Sequence, residues 1–238
     1  MRAAAPILLL VALWQAVVSL TGAPAFILPP PLMVLQAARD NAGLLASSAA
    51  VTGGEVVAGL ILGGLFGCGV AVAMVLAPSL GRLLRPILLL SQAIPVFALA
   101  PVLTLWLGYG MVPKIVVTVM IVFFPLASVF HDGLMATPEG LLDLGRLARA
   151  GRWREFRRIR LPSALPSLGA GLTVAAVYAP IGAVTGEWVG ASQGLGYVML
   201  MANARTHADL MFAALIVLVA LTLVLYAATR WIDRRLKS

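Results

Sequence analysis

The sequence predicts an all-α polytopic membrane protein with about six transmembrane helices and one long cytoplasmic loop. Three observations carry that expectation. The 238-residue chain is 61% hydrophobic and 11% charged, whereas soluble domains hold roughly 25% charged residues. The apolar residues gather in runs close to the ~20 residues that a helix needs to cross a bilayer. The cations collect in alternate connections between those runs. A soluble fold of this size could not hide so much apolar surface, so residues 1–238 are expected to form one transmembrane domain in a lipid bilayer.

The runs follow in order. The first spans about Pro6 to Leu20. Arg2, the apolar stretch and Thr21-Gly22-Ala23-Pro24-Ala25 also fit a cleavable signal peptide, but five further runs make a retained first helix an equal account of the pattern. Leu28-Pro29-Pro30-Pro31 cannot continue a helix, because proline lacks the amide donor. The second run spans about Ala50 to Leu76, and the third spans Leu84 to Leu107, interrupted by Pro95 and Pro101. Those prolines either kink a helix or break it, and broken helices at membrane depth line cavities. The fourth, fifth and sixth runs are about Val112–Phe130, Leu165–Val189 and Leu210–Trp231.

With a cytoplasmic N-terminus, the inner segments hold Arg2, Arg82, Arg85, Arg146, Arg149, Arg152, Arg154, Arg157, Arg158, Arg160, Arg230, Arg234, Arg235 and Lys237. The outer segments hold only Arg39, Lys114 and Arg205. The positive-inside rule therefore places both termini in the cytoplasm. It also accounts for the net charge of +8 without nucleic acid, for which no binding motif is present.

Several chemistries are set aside. The two lysines, Lys114 and Lys237, sit in no G-x-x-x-x-G-K-[ST] pattern, so the chain holds no P-loop for ATP. His131 and His207 fall on opposite membrane sides, which argues against a zinc site. Gly190-Ala191-Ser192-Gln193-Gly194 matches the hydrolase nucleophile elbow, but that motif needs a strand before it and here an apolar helix precedes it. Cys68, the only cysteine, reads as a small packing residue.

Gly59, Gly63 and Gly67 recur every four residues, a spacing that lets helices approach closely. Packing within the chain is favoured over a dimer face. Glu55 and Glu187 are the charges closest to the apolar runs. Glu55 is expected at the membrane interface. Glu187 either faces a polar pathway or reaches interfacial water; a carboxylate in lipid is costly enough to mark a site. From their location, Ser91, Gln92, Pro95, Tyr178, Thr185 and Glu187 are the candidate pathway residues.

The loop from about 131 to 165 carries the densest charge. Pro138 can open a helix. Leu141, Leu144 and Ala148 share a face, Gly151 weakens the helix, and Trp153, Phe156 and Ile159 form a second stripe among five arginines. Leu161-Pro162 is expected to stop that helix. Such a segment either lies on anionic lipid or docks its aromatics into a groove on a cytoplasmic partner.

This loop resembles the coupling loop of binding-protein-dependent ABC importer permeases, whose signature is E-A-A, a glycine, then I-x-L-P. Ile159-Arg160-Leu161-Pro162 matches the ending. Arg152-Trp153 and Phe156-Arg157-Arg158 match the usual filling. The E-A-A positions fall on Asp143, Leu144 and Gly145, and the family glycine falls on Arg149, with Ala150 and Gly151 just beyond. Ala98–Gly108, Lys114, Phe123-Phe124-Pro125, Gly186-Glu187 and Gly190–Tyr197 resemble the branch for sulfonate, taurine, nitrate and thiamine pyrimidines. Asp209–Ala214 looks closest to permeases for hydroxymethylpyrimidine.

The resemblance implies a permease subunit, not an enzyme, in a bacterial inner membrane, with no cofactor on this chain. Two copies would form the path, separate ATPase subunits holding ATP-Mg would dock on the coupling loop, and a periplasmic binding protein would deliver substrate. The interface residues would be Asp143, Leu144, Gly145, Arg149, Ala150, Gly151, Arg152, Trp153, Phe156, Arg157, Ile159, Leu161 and Pro162. The alternatives are a sulfonate, taurine or nitrate permease, a stand-alone secondary transporter, and a non-transporting scaffold.

Overall fold

The middle of the fold is helix α6 (Met111–Met135), held between α3 (Ala42–Leu76) and α9 (Leu161–Trp188). These are the contacts seen in a computed structural model describing residues 4–237; Arg2, counted above among the inner cations, lies outside them. Glycine permits the close approach on both sides. A Cβ at Gly63 would lie 3.1 Å from Val122 Cγ1, and one at Gly67 would lie 2.6 Å from the Phe123 carbonyl oxygen. From α9, a Cβ at Gly182 would lie 2.6 Å from Thr118 Cα. Gly59 presses on the Thr118 side chain in the same way. Without a hydrophobic driving force between helices in lipid, such backbone proximity is what dispersion contacts require. The Gly59, Gly63 and Gly67 stripe therefore packs within the chain. Val56, Val122, Ala175, Ala179 and Ala183 close the core between these helices.

The N-terminal helices lie to one side. Helix α1 (Ala4–Thr21) stacks Trp14 on Phe212 of α11 (Ala208–Leu236), with ring centroids 5.6 Å apart. Helix α2 (Pro31–Asp40) starts directly after the prolines, with Pro31 in its first turn, where the missing amide costs nothing. Helix α10 (Leu195–Ala204) joins it near the same end of the bundle, where Val34, Leu45, Leu195, Val198, Ala213 and Ala214 form a core.

The third apolar run is not one helix. It divides into α4 (Pro78–Ala93) and α5 (Val96–Leu107), bent by 94°. Ile94 is extended, as a residue before proline prefers, and Pro95 caps α5 without donating a bond. Pro101 lies inside α5 and does not break it. Helix α4 buries none of its residues within the chain. The all-α membrane architecture is as expected, and the described residues show fewer than six spans by length and composition. Among the described residues, four helices are long and apolar enough to cross, and the bent pair counted as one makes five. Helix α1 is shorter.

The basic loop holds α7 (Glu139–Leu147) and α8 (Arg152–Glu155), which runs through a π-helical turn at Phe156–Arg160 into α9. The expected stop at Pro162 is corrected: helical structure continues from Arg152 to Trp188. Pro162 lies in the first turn of α9, directly after the wider turn, so its missing amide does not end the helix.

Candidate functional site

Two constructions stand out, one at the basic end of the bundle and one at the opposite end. At the basic end, α7 closes with a left-handed residue. Arg149 has φ 49°, and the amides of Arg149 and Ala150 bond the carbonyls of Arg146 and Gly145 at 3.0 and 2.9 Å. This pair of bonds is the Schellman arrangement, whose left-handed position is normally glycine. Arg149 is the position on which the glycine of the resembling loop signature falls, so the backbone has a glycine-like turn there although the side chain differs. Gly145 is buried, and a Cβ there would meet Ile159 Cδ1 at 2.8 Å. Leu142 is buried beside it, and α7 thereby turns Leu141, Leu144 and Leu147 outward.

The aromatic pair divides its work. Phe156 is 5% exposed and packs with Ala71, Phe130, Leu134 and Ala164. The expectation that it enters a partner's groove is corrected: its ring is already used to fasten the segment to α3 and α6. Trp153 stacks on it at 5.5 Å and stays 60% exposed. Arg160 donates to Glu155 Oε1 at 2.8 Å and to the Leu134 carbonyl at 3.2 Å, which ties the π-helical turn to the end of α6. Arg152, Arg154, Arg157 and Arg158 are exposed. Asp143 is exposed and bonds Arg146 at 2.7 Å. The surface is thus a Leu and Trp patch bordered by cations; Ile159 and Leu161 are half-buried and Pro162 is exposed.

At the opposite end, α3, α6 and α9 enclose a charge cluster. Lys114 Nζ donates to Glu55 Oε1 at 2.7 Å, with side chains 8% and 0% exposed. Both residues sit inside helices and face each other within the chain. Helix α3 begins at Ala42 and not at Ala50, so Glu55 lies more than three turns inside it. Lys114 belongs to the first turn of α6 and is not a loop cation. Glu187 is also fully buried, and so reaches neither a pathway surface nor interfacial water. Its Oε1 accepts from Thr52 Oγ1 at 2.6 Å and its Oε2 from the Gly196 amide at 2.5 Å, while Thr52 Oγ1 accepts from the Leu195 amide at 2.8 Å. A carboxylate over the first amides of α10 meets the positive end of that helix. Thr52 was not anticipated; its place three residues before Glu55 on one helix face was the available clue.

The remaining pathway candidates form two groups. Ser91 bonds its own turn through the Leu88 carbonyl, Gln92 bonds Ser91, and Pro95 marks the bend. Tyr178 is 47% exposed on α9. Thr185 lines a cavity of about 320 Å3 between α9 and α11 with Trp188 and Thr222, away from α4. Gly190–Gly194 forms the turn between α9 and α10, with no strand before it.

A family described as binding-protein-dependent transport system inner membrane component matches residues 59–238. A probable ABC transporter permease protein of Haemophilus influenzae is 47% identical over 95% of this chain and 92% of its own. The riboflavin transport system permease protein RibX of Chloroflexus aurantiacus is 34% identical over 97% of this chain and 87% of its own. The formylaminopyrimidine transport permease protein ThiX of Halalkalibacterium halodurans is 33% identical, with shares of 95% and 90%. Among solved structures, an inward-facing MetNI methionine ABC transporter chain shares the fold at TM-score 0.72 and 22% identity, over 81% of this chain and 96% of that one.

Proposed function

This chain belongs to the binding-protein-dependent transport system inner membrane components, and we propose that it carries a thiamine pyrimidine precursor of the hydroxymethylpyrimidine type. As an ABC importer permease it is a transport subunit and not an enzyme. The substrate reading rests on one observation, the likeness of nearly the whole chain to a formylaminopyrimidine permease. A similar likeness to a riboflavin permease favours a second reading, a larger nitrogen heteroaromatic.

In this proposal two copies of the chain form the path, and the bare face of α4 meets the second copy. Ser91, Gln92 and Pro95 at the bend, with Tyr178 and Thr185 on α9, lie along the path. ATPase subunits, which hold ATP-Mg, dock on Leu141, Leu144, Leu147 and Trp153, with Asp143 and the exposed arginines around them. The basic end and both termini are cytoplasmic. Closure of the ATPases on ATP then moves α7 as a rigid handle, because Phe156 and Arg160 fix the adjoining segment to the membrane helices.

Uptake of labelled hydroxymethylpyrimidine in a strain lacking this chain tests the substrate. Uptake should disappear, return with a plasmid copy, and be competed by unlabelled pyrimidine but not by riboflavin or taurine. Unchanged pyrimidine uptake alongside lost riboflavin or taurine uptake would overturn the assignment.

A further inference from the structure

We propose that Glu187 is a positioning residue for transport: with Thr52 it locks the 189–195 loop and the start of α10 onto the core, and passes engagement of the binding protein to the membrane helices. The inference rests on the importer reading above.

The loop between α9 and α10 is bracketed by glycines. Gly190 and Gly194 near its ends have φ of 92° and 117°, values that only glycine adopts without strain. At its far end, the loop and the first turn of α10 are tied to the core by the bonds from Leu195 to Thr52 and from Gly196 to Glu187. Both acceptors are fully buried and come from core helices, Thr52 from α3 and Glu187 from the last turn of α9. Gly194 and Gly196 leave the carboxylate its space, since a Cβ on either would overlap it.

What the lock joins gives it a role beyond local stability. On one side, α10 and α2 line a cavity of about 550 Å3 that opens outward among Gln36, Asp40, Tyr197, Arg205 and His207. That mixed polar and apolar surface, which Met33, Leu44 and Met201 also line, is where a protein arriving at this end would press. On the other side, the loop residues Gly190–Gln193 wall a cavity of about 420 Å3 whose floor is Glu55 and Lys114. Displacing α10 therefore strains the bonds to Thr52 and Glu187, and freeing them would uncover the buried ion pair and release the end of α9. Helix α9 is continuous with the coupling segment at its other end, so the same helix reaches the ATPase.

The test uses the chain reconstituted with its ATPase subunits in liposomes, with ATP hydrolysis measured without and with the cognate binding protein loaded with hydroxymethylpyrimidine. Glu187→Ala should lower the stimulated rate at least tenfold while the unstimulated rate stays within twofold. Thr52→Val should act in the same direction more weakly, and Thr52→Ser should restore stimulation. A parallel fall in both rates, or full stimulation in Glu187→Ala and Thr52→Val, would overturn the proposal. If Glu187→Ala does not insert, the Thr52 pair decides. Absence of stimulation in the unmodified complex would instead count against the importer and substrate reading.

Discussion

Replacing Lys114 by methionine keeps most of the side chain's volume and removes its charge. In the protein its Nζ lies 2.7 Å from Glu55 Oε1, with both side chains nearly sealed from solvent. At an effective dielectric of 20, that separation corresponds to about 6 kcal/mol of gross attraction. Desolvation of both ions offsets much of it, so the intact pair adds little net stability. Breaking it is another matter. Glu55 Oε2 already has no hydrogen-bond partner, and the substitution would leave Oε1 without one too. The expected cost is about 3–5 kcal/mol. Glu55→Met with Lys114→Met should recover most of it, giving a coupling energy of about 2–4 kcal/mol. Reversible unfolding in mixed detergent micelles, followed by tryptophan fluorescence, measures all four corners of the cycle. A cost below about 1 kcal/mol for Lys114→Met, or a double variant that simply adds the two single losses, would mean that the two charges are not coupled.

Three further outcomes follow from the packing. Arg149→Gly relieves a left-handed residue and should raise stability by about 1 kcal/mol, read as a higher unfolding midpoint; a lower midpoint would deny that the turn controls α7. Gly67→Val puts a side chain against the Phe123 carbonyl and should cost about 3 kcal/mol, while Gly69→Val faces open space and should change stability by less than about 0.5 kcal/mol; equal effects would contradict the helix register. Leu144→Asp should abolish co-purification of the ATPase subunit with the fold intact, whereas Phe156→Asp should destabilise the chain itself by at least about 3 kcal/mol; retained ATPase binding in Leu144→Asp would favour the lipid-surface reading of α7.

The long apolar runs were legible because a bilayer leaves the backbone little choice but helix. The glycines at 59, 63 and 67 were legible for the same reason, since close packing in lipid needs small residues. The coupling segment could be read by its ending, and the left-handed backbone at Arg149 agrees with the aligned glycine position. What was not legible depended on partners distant in sequence. Glu55 near the edge of its apolar run looked interfacial and Lys114 read as a cation of an outer segment; their pairing across 59 positions belongs to the tertiary structure alone. Pro95 and Pro101 are the same residue with opposite outcomes, because the extended backbone at Ile94 lets the chain turn there while α5 absorbs Pro101. Phe156 looked like a docking residue because periodicity gives a face without saying which neighbour covers it. Trp153, three positions earlier, is the one left in the open.

In the proposed function, this chain moves substrate only when a separate ATPase works it through α7. Proteoliposomes holding the chain, the ATPase subunits and the loaded binding protein measure this dependence directly. Labelled hydroxymethylpyrimidine should enter only when ATP is present and the ATPase subunits are included, and Leu144→Asp should abolish that entry. Substrate-specific entry through the chain alone, driven by an ion gradient without ATP, would instead make it a stand-alone secondary transporter.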